Sequence, residues 1–362
     1  MLGVEDAKGP KGFMSQGVSM PASPTGRTEP YLRLAELLMG RRIAMALHLS
    51  VKHGIADVIG DEAKSVEELS ARTAFPPESL RRLLRALSYT GVFAERPDGR
   101  FTNSPVSDYL RADRDPTLRE MTLILNDEAV LRGWDQLEGV LQTGKPAFQS
   151  INGQTFFEYI ASDPRRSEMM ARFMKGIYGP EGPRIAAGFP FSRFTKLIDI
   201  GAGPGHILAD ILRAHPALRG AVFDLPHTAN VARQFLATQG LSDRTEIFSG
   251  DFLAAVTPGY DAYFIKSTLH DWNDEKSVDI LSNIREAMPG HGRVLITEMV
   301  LEPGKSIGHP HRFIDLEMMV SFGGKERTAD DFQRLLKASG MRFEQLHPID
   351  GSFFSIVEAS KA

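Results

Sequence analysis

The sequence predicts an α/β protein in which a doubly wound, mainly parallel sheet with an antiparallel edge hairpin follows an α-rich winged-helix domain. Three observations predict it. Lys196–His206, KLIDIGAGPGH, reads as a buried strand running into a turn with Gly201, Gly203 and Gly205 at every second position. From that turn onward, strand and helix patterns alternate almost to the end of the chain. Upstream, residues 53–112 carry three helical segments and then two short strands flanking Pro97-Asp98-Gly99, the order of a winged helix.

With 362 residues the chain is long enough for two cores. Its formal net charge of -4 supplies no overall basic field for nucleic acid. Cysteine is absent, which excludes disulfides, thiolate metal sites and cysteine nucleophiles. There is no run of 18 apolar residues and no apolar leader ahead of a small-residue cleavage site, so a cytoplasmic protein without membrane attachment is expected.

Residues 1–29 are rich in Gly, Pro, Ser and Lys and lack apolar periodicity, so a mobile tail is expected there. The winged-helix domain is assigned to 30–115. Tyr31–Val51 reads as one helix with a broad apolar stripe (Leu34, Leu37, Leu38, Ile43, Leu47) and a central Gly40. A helix apolar over so much of its girth needs cover on more than one side, which favours a subunit interface. Gly54–Ile59, the Ser65-capped SVEELSART and Pro77–Tyr89 follow as helices, then Phe93–Arg96 and Arg100–Asn103 as a hairpin. Arg81, Arg82 and Arg85 lie on the third helix, where a DNA reader would place them. The competing reading is an architectural winged helix with solvated arginines, and the lack of a wider basic field favours it.

Residues 116–180 read as a helical linker, broken at Gly144-Lys145-Pro146 and Asn152-Gly153. Asn126, Asp127, Trp134, Phe156, Phe157, Phe173 and Met174 fall here; core packing explains most of them, and a minority face a ligand. The domain 181–362 carries strands at 196–200, 220–224, 244–248, 260–266 and 292–298. Helices fall at 206–214, 228–239, 275–288 and 328–339, with an insertion at 300–326 and a closing hairpin of strands near 341–347 and 352–359.

The strand ends carry the chemistry. The GxGxG turn differs from the GxGxxG of dinucleotide folds, which disfavours a nicotinamide oxidoreductase. Asp224 ends the second strand, the next one after the glycine turn, and can bind ribose hydroxyls or cap the following helix. Asp251-Phe252 after the third strand offers an acceptor and a stacking face for adenine. Lys266 and His270 close the fourth strand, with Asp271 and Trp272 beside them. Glu298 ends the fifth strand, and Glu326 closes the insertion behind Gly323-Gly324. A histidine flanked by two carboxylates is held in one tautomer and made more basic, which is the arrangement of a general base.

The series FDLPHT, GDFL, LHDWND and GGKERT after LIDIGAGPG resembles the O-methyltransferase family of plant caffeic acid and isoflavone enzymes. Animal acetylserotonin methyltransferase and bacterial aromatic-polyketide methyltransferases belong to the same group. The likeness runs from about Tyr31 to the end and includes NDEAVLRGWDQLEGVLQTGKPAF, FFEYIASDP and FMKGI. It implies a Rossmann-like domain that uses S-adenosylmethionine (SAM) and releases S-adenosylhomocysteine, with no metal. By this resemblance Gly201 and Gly203 approach the methionine end of SAM, and Lys266 holds its methionine moiety. Asp224 and the adjoining Leu225 bind the ribose, and Asp251 and Phe252 the adenine. His270 is the base, oriented by Glu298 and Glu326. The winged helix dimerises, and the partner subunit closes the acceptor pocket. Met174, Ile177, Met318, Met319 and Phe322, with Trp134 and Phe173, imply a flat apolar acceptor, a phenolic or polycyclic secondary metabolite, to which Asn126, Asp127 and Asp271 offer polar contacts. The chain departs from the plant pattern at GAGPGH, at MMVSF and at Ile177, where plant members carry methionine, so plant-type acceptors are not expected. N-methylation or a non-methylating reaction on a similar acceptor, and a ligand-sensing regulator, are the alternatives to O-methylation.

Overall fold

A computed structural model describes residues 29–304 and 311–362. The expected tail therefore lies outside the described residues except for Glu29, as does 305–310 of the insertion.

The single helix expected over Tyr31–Val51 is two helices, Glu29–Leu38 and Gly40–Lys52, meeting at Met39. Glycine is a poor interior helix residue, and the chain breaks at the residue before Gly40. No residue of the first helix is buried, and Leu34, Leu37 and Leu38 are 57%, 60% and 66% exposed. This apolar face finds no cover among the described residues.

Helices Ile55–Ile59, Val66–Thr73 and Pro77–Tyr89 and strands β1 (Phe93–Glu95) and β2 (Phe101–Asn103) form the winged helix. Ile55, Leu69, Leu80, Leu84, Phe93 and Phe101 make its core. Ser65 accepts from Glu68 N while the Glu68 carboxylate accepts from Ser65 N, which fixes the start of the second helix. Arg85 grips Glu95 with two nitrogens and Arg81 reaches Glu67. Two of the three arginines on the third helix thus spend their charge inside the domain, which counts against phosphate binding.

Seven strands build the main sheet: β3 (Lys196–Ile200), β4 (Arg219–Asp224), β5 (Thr245–Ser249), β6 (Ala262–Lys266), β7 (Arg293–Glu298), β8 (Met341–Pro348) and β9 (Ser355–Lys361). Their order is β5-β4-β3-β6-β7-β9-β8. The five strands from β5 to β7 are parallel, and β9 and β8 add an antiparallel edge. Side chains of one strand alternate between two helical layers, Leu197 joining one core and Ile198 and Ile200 the other. That double burial explains the near-continuous apolar runs. β3 has β4 on one side and β6 on the other, so the winding reverses there and leaves a crevice at the carboxyl ends. The 300–326 insertion is not featureless. It contains the helix His311–Glu317 and a π-helical segment Met318–Phe322 that Gly323 ends at φ +77°.

Candidate active site

The crevice opens over the glycine turn. Gly201, Gly203 and Gly205 have φ of +71°, +56° and +82°, a region that side chains other than glycine rarely enter. A Cβ on Gly201 would lie 3.0 Å from Thr268 Oγ1 and 3.7 Å from the Phe252 ring. At Gly203 nothing stands within 4 Å of such an atom, so backbone is bare toward the crevice. Gly203 N donates to Asp224 Oδ2 at 2.9 Å and Leu225 N to Asp224 Oδ1 at 2.7 Å, tying the turn to the end of β4. Burial raises the Asp224 carboxyl pKa while both amides oppose it. Leu225 is exposed at the lip, and Phe252 meets Trp272 edge-on at 6.1 Å. Asp251 is exposed and accepts from Leu253 N at 2.9 Å. A bare glycine turn, two acids and an aromatic face fit an adenosine-bearing ligand.

Lys266 continues the floor. Its ammonium lies 3.7 Å from the Tyr178 ring centroid and 4.1 Å from that of Phe354, and it donates to Ser267 Oγ at 3.0 Å. Burial lowers its pKa to about 8 against the pull of Glu298, Asp199 and Glu181. Asp199, inside β3, is pushed up to about 8 by burial and by Asp224.

His270 sits in the short helical turn Leu269–Asp271 beyond β6 and is 6% exposed. Its Nδ1 lies 2.8 Å from Glu326 Oε1 and 3.9 Å from Glu298 Oε2. Nε2 faces Asp271 Oδ1 at 3.6 Å. Glu298 Oε1 accepts from both Thr268 N and Leu269 N at 3.0 Å, so the carboxyl that ends β7 also caps the turn bearing the histidine. Burial lowers the imidazole pKa, but Glu298, Asp271 and Glu326 outweigh it and raise it to about 10. Burial pushes the Asp271 carboxyl up to about 7. His270 and Glu298 beyond two strand ends and Glu326 behind the two glycines, widely separated along the chain, thus form one cluster, as the sequence reading expects.

Several supporting residues escape sequence reasoning. Arg327 is 1% exposed and donates to Leu269 O at 2.7 Å, Trp272 O at 2.8 Å, Asp274 Oδ1 at 2.9 Å and Ser277 Oγ at 3.1 Å. It clamps the carbonyls of the His270 turn, while Glu298 takes the amides of Thr268 and Leu269. Its one signal is its place in GGKERT, which does not tell a buried clamp from a solvated arginine. Asp315 accepts from Glu326 N at 2.8 Å and steadies the other carboxylate. Gly324 lies against the backbone of His270 and Asp271 so closely that a Cβ would overlap the His270 carbonyl. Gly324→Ala is therefore expected to move the turn and lower kcat on the order of 10²-fold with SAM affinity retained. A wild-type kcat in that variant would show that the loop yields instead.

The acceptor candidates divide. Asn126 Nδ2 donates to Thr122 O at 2.9 Å, and Asp127 accepts from Ala129 N at 2.9 Å and Tyr159 Oη at 2.8 Å. Trp134 Nε1 donates to Glu317 Oε2 at 2.6 Å. These three polar groups have structural partners, because half-buried donors and acceptors pair wherever they can. Phe173 and Phe322 join the cluster around Phe148 and Phe156, with Phe322 edge-on to Phe156 at 4.9 Å. Met174 and Ile177 are half-buried on the helix Pro164–Tyr178, Met318 is buried, and Met319 packs beside Val140 and Val320.

A bare glycine turn at the end of β3 and a buried histidine–glutamate cluster one strand away belong to a doubly wound transferase. Residues 134–342 match the O-methyltransferase domain and residues 35–113 the O-methyltransferase dimerisation domain, and the chain belongs to this family. It is a SAM-dependent O-methyltransferase. It is 37% identical to the phenazine O-methyltransferase of Lysobacter antibioticus over 90% of this chain and 95% of that one. It is 32% identical to the 8-amino-8-demethylriboflavin N,N-dimethyltransferase of Streptomyces davaonensis over 90% and 94%. Among solved structures, an O-methyltransferase from neocarzinostatin biosynthesis, in complex with SAM and 2-hydroxy-5-methyl naphthoic acid, matches with a TM-score of 0.78. That match is at 31% identity and covers 88% of this chain and 96% of the other.

Proposed function

We propose that this enzyme is a cytoplasmic homodimer that methylates a hydroxyl of a flat aromatic small molecule, with His270 as the general base. The observation that carries the reading is the buried imidazole 2.8 Å from Glu326, its Nε2 turned away from that carboxylate. Nδ1 donates to Glu326, which leaves Nε2 to take the acceptor's proton. Glu326 then stabilises the imidazolium. SAM, when bound, supplies an electrophilic methyl on a sulfonium. Gly201 and Gly203 would hold its methionine end with Lys266, Asp224 and Leu225 its ribose, and Asp251 and Phe252 its adenine. Holding oxygen, methyl and sulfur in line supplies on the order of 7–11 kcal/mol. No metal ion has a part in these steps.

Met174, Ile177, Met318, Met319 and Phe322 supply the apolar wall for the acceptor, and Asp271 a polar contact beside Nε2. Two of the acceptors named among the relatives, a phenazine and a naphthoate, are flat and polycyclic. The uncovered apolar face of Glu29–Leu38 supports pairing of two copies through the dimerisation domain. No helix of the described residues is long and apolar enough to cross a membrane. Boundaries at 30–115, 116–180 and 181–362 follow the winged helix, the linker and the sheet. One relative's name specifies an amine acceptor, so N-methylation is the second reading.

The test is to incubate the enzyme with methyl-labelled SAM and hydroxylated or aminated phenazines, naphthoates and flavins, and to analyse products by mass spectrometry. Labelled aryl ethers are expected; a labelled amine alone would assign the second reading, and no labelled aromatic product would remove both.

A further inference from the structure

The two glutamates beside His270 are alike in burial, at 2% and 4% exposure, but their hydrogen bonds differ. Glu326 Oε1 takes the imidazole N–H at 2.8 Å, an interaction that gains most from a full negative charge. Glu298 Oε1 takes two backbone amides, which a carbonyl oxygen of a neutral acid accepts as well. Its Oε2 is buried without a partner and stands 3.9 Å from Nδ1, beyond hydrogen-bond reach. Glu326 Oε2 is likewise buried and unpartnered, and a ring nitrogen of His270 and one carboxylate oxygen each of Glu298 and Glu326 lie within 4.8 Å of one another. Two buried carboxylates so close together do not both ionise without cost.

We propose that Glu298 is held as the neutral carboxylic acid and Glu326 as the carboxylate. Glu298 is then the structural cap of the His270 turn, a positioning residue, and Glu326 alone orients and charges the base. The proposal rests on His270 as the base. A base has to begin neutral, and an imidazole facing two full carboxylates keeps its proton above neutrality. Burial raises the Glu298 pKa, as does Glu326, while His270, the Thr268 amide and Lys266 oppose it. Asp271, on the same turn as His270, is the remaining acid near the pair. A proton on Glu298 removes one of the charges that hold a proton on the ring and leaves Nε2 free to accept.

The experiment compares pH profiles of kcat/KM for wild type, Glu298→Gln and Glu326→Gln, with His270→Ala alongside. Glutamine at 298 keeps an oxygen for both amides. Its acid limb is expected to coincide with that of wild type, whereas Glu326→Gln loses roughly 10²–10⁴ in kcat/KM. If Glu298 is ionised in the enzyme, Glu298→Gln removes a charge and shifts the acid limb about 1–3 pH units lower, which overturns the proposal. Equal losses in the two variants also overturn it. NMR of wild-type enzyme labelled at its glutamate carboxyl carbons does not depend on any variant folding. One glutamate carboxyl still protonated at neutral pH is expected, and none would overturn the assignment. Full turnover by His270→Ala would remove the base itself, a separate failure that leaves the NMR result meaningful.

Discussion

Replacing His270 by alanine is expected to lower kcat by roughly 10²–10⁴ while SAM binds as in wild type. The imidazole lies beyond β6, one strand from the glycine turn, and its ring nitrogens face Glu326, Glu298 and Asp271. Its removal deletes the proton acceptor and leaves the cradle intact. The residual rate reports what positioning alone supplies. Single-turnover methyl transfer with labelled SAM and calorimetric titration of S-adenosylhomocysteine separate the two effects. In wild type the rate should rise with pH as Nε2 becomes neutral, and His270→Ala should lose that limb. Equal turnover in the variant would mean that the acceptor ionises unaided. A parallel loss of SAM affinity would mean that the histidine supports the fold.

Arg327→Met should be the most destabilising single change near the site. The guanidinium is almost wholly buried and donates short hydrogen bonds to the Leu269 and Trp272 carbonyls, at 2.7 and 2.8 Å. Both carbonyls keep a longer bond, Leu269 O from Trp272 N at 3.2 Å and Trp272 O from Ser277 Oγ at 3.4 Å, so the loss is that of two charge-assisted bonds, in part offset, on the order of 3 kcal/mol. Asp274, 53% exposed at its side chain, can turn to water and contributes less. Lysine is not expected to rescue the loss, because one ammonium cannot reproduce the planar fork that spans two carbonyls and a carboxylate. The measurable outcome is a lower Tm together with a reduced kcat and a nearly unchanged SAM affinity, since the freed turn misplaces His270 but not the glycine cradle. Wild-type Tm and kcat in the methionine variant would show that Glu298's two amide bonds hold the turn unaided.

The candidate site was legible where it depends on strand ends. Parallel strands deliver their carboxyl termini to one edge, so Asp224, Lys266, His270 and Glu298 had to converge once β3 to β7 were recognised. Glu326 was legible from its place behind two glycines, and Gly324 explains why: only a residue without a side chain passes the His270 carbonyl. The break at Met39 was less legible, since a helical stripe continues in phase across it. The helix and π-segment of the insertion were not legible either, because a short helix flanked by irregular chain leaves little periodicity to detect.

The winged helix, the doubly wound sheet and the glycine turn follow from the sequence alone, as do the strand ends that carry His270 and Glu298. Each is written in local spacing, as a period of 2 or 3.6 residues or a glycine where the backbone must turn. Only the tertiary structure decided which partner each polar group takes. Trp134 bonds Glu317, 183 residues away, and Arg327 bonds Leu269, 58 residues away. Glu298 spends one oxygen on two amides while Glu326 spends one on the imidazole. A buried donor or acceptor must pair with whatever packing brings within about 3 Å, and packing follows from the whole set of layers.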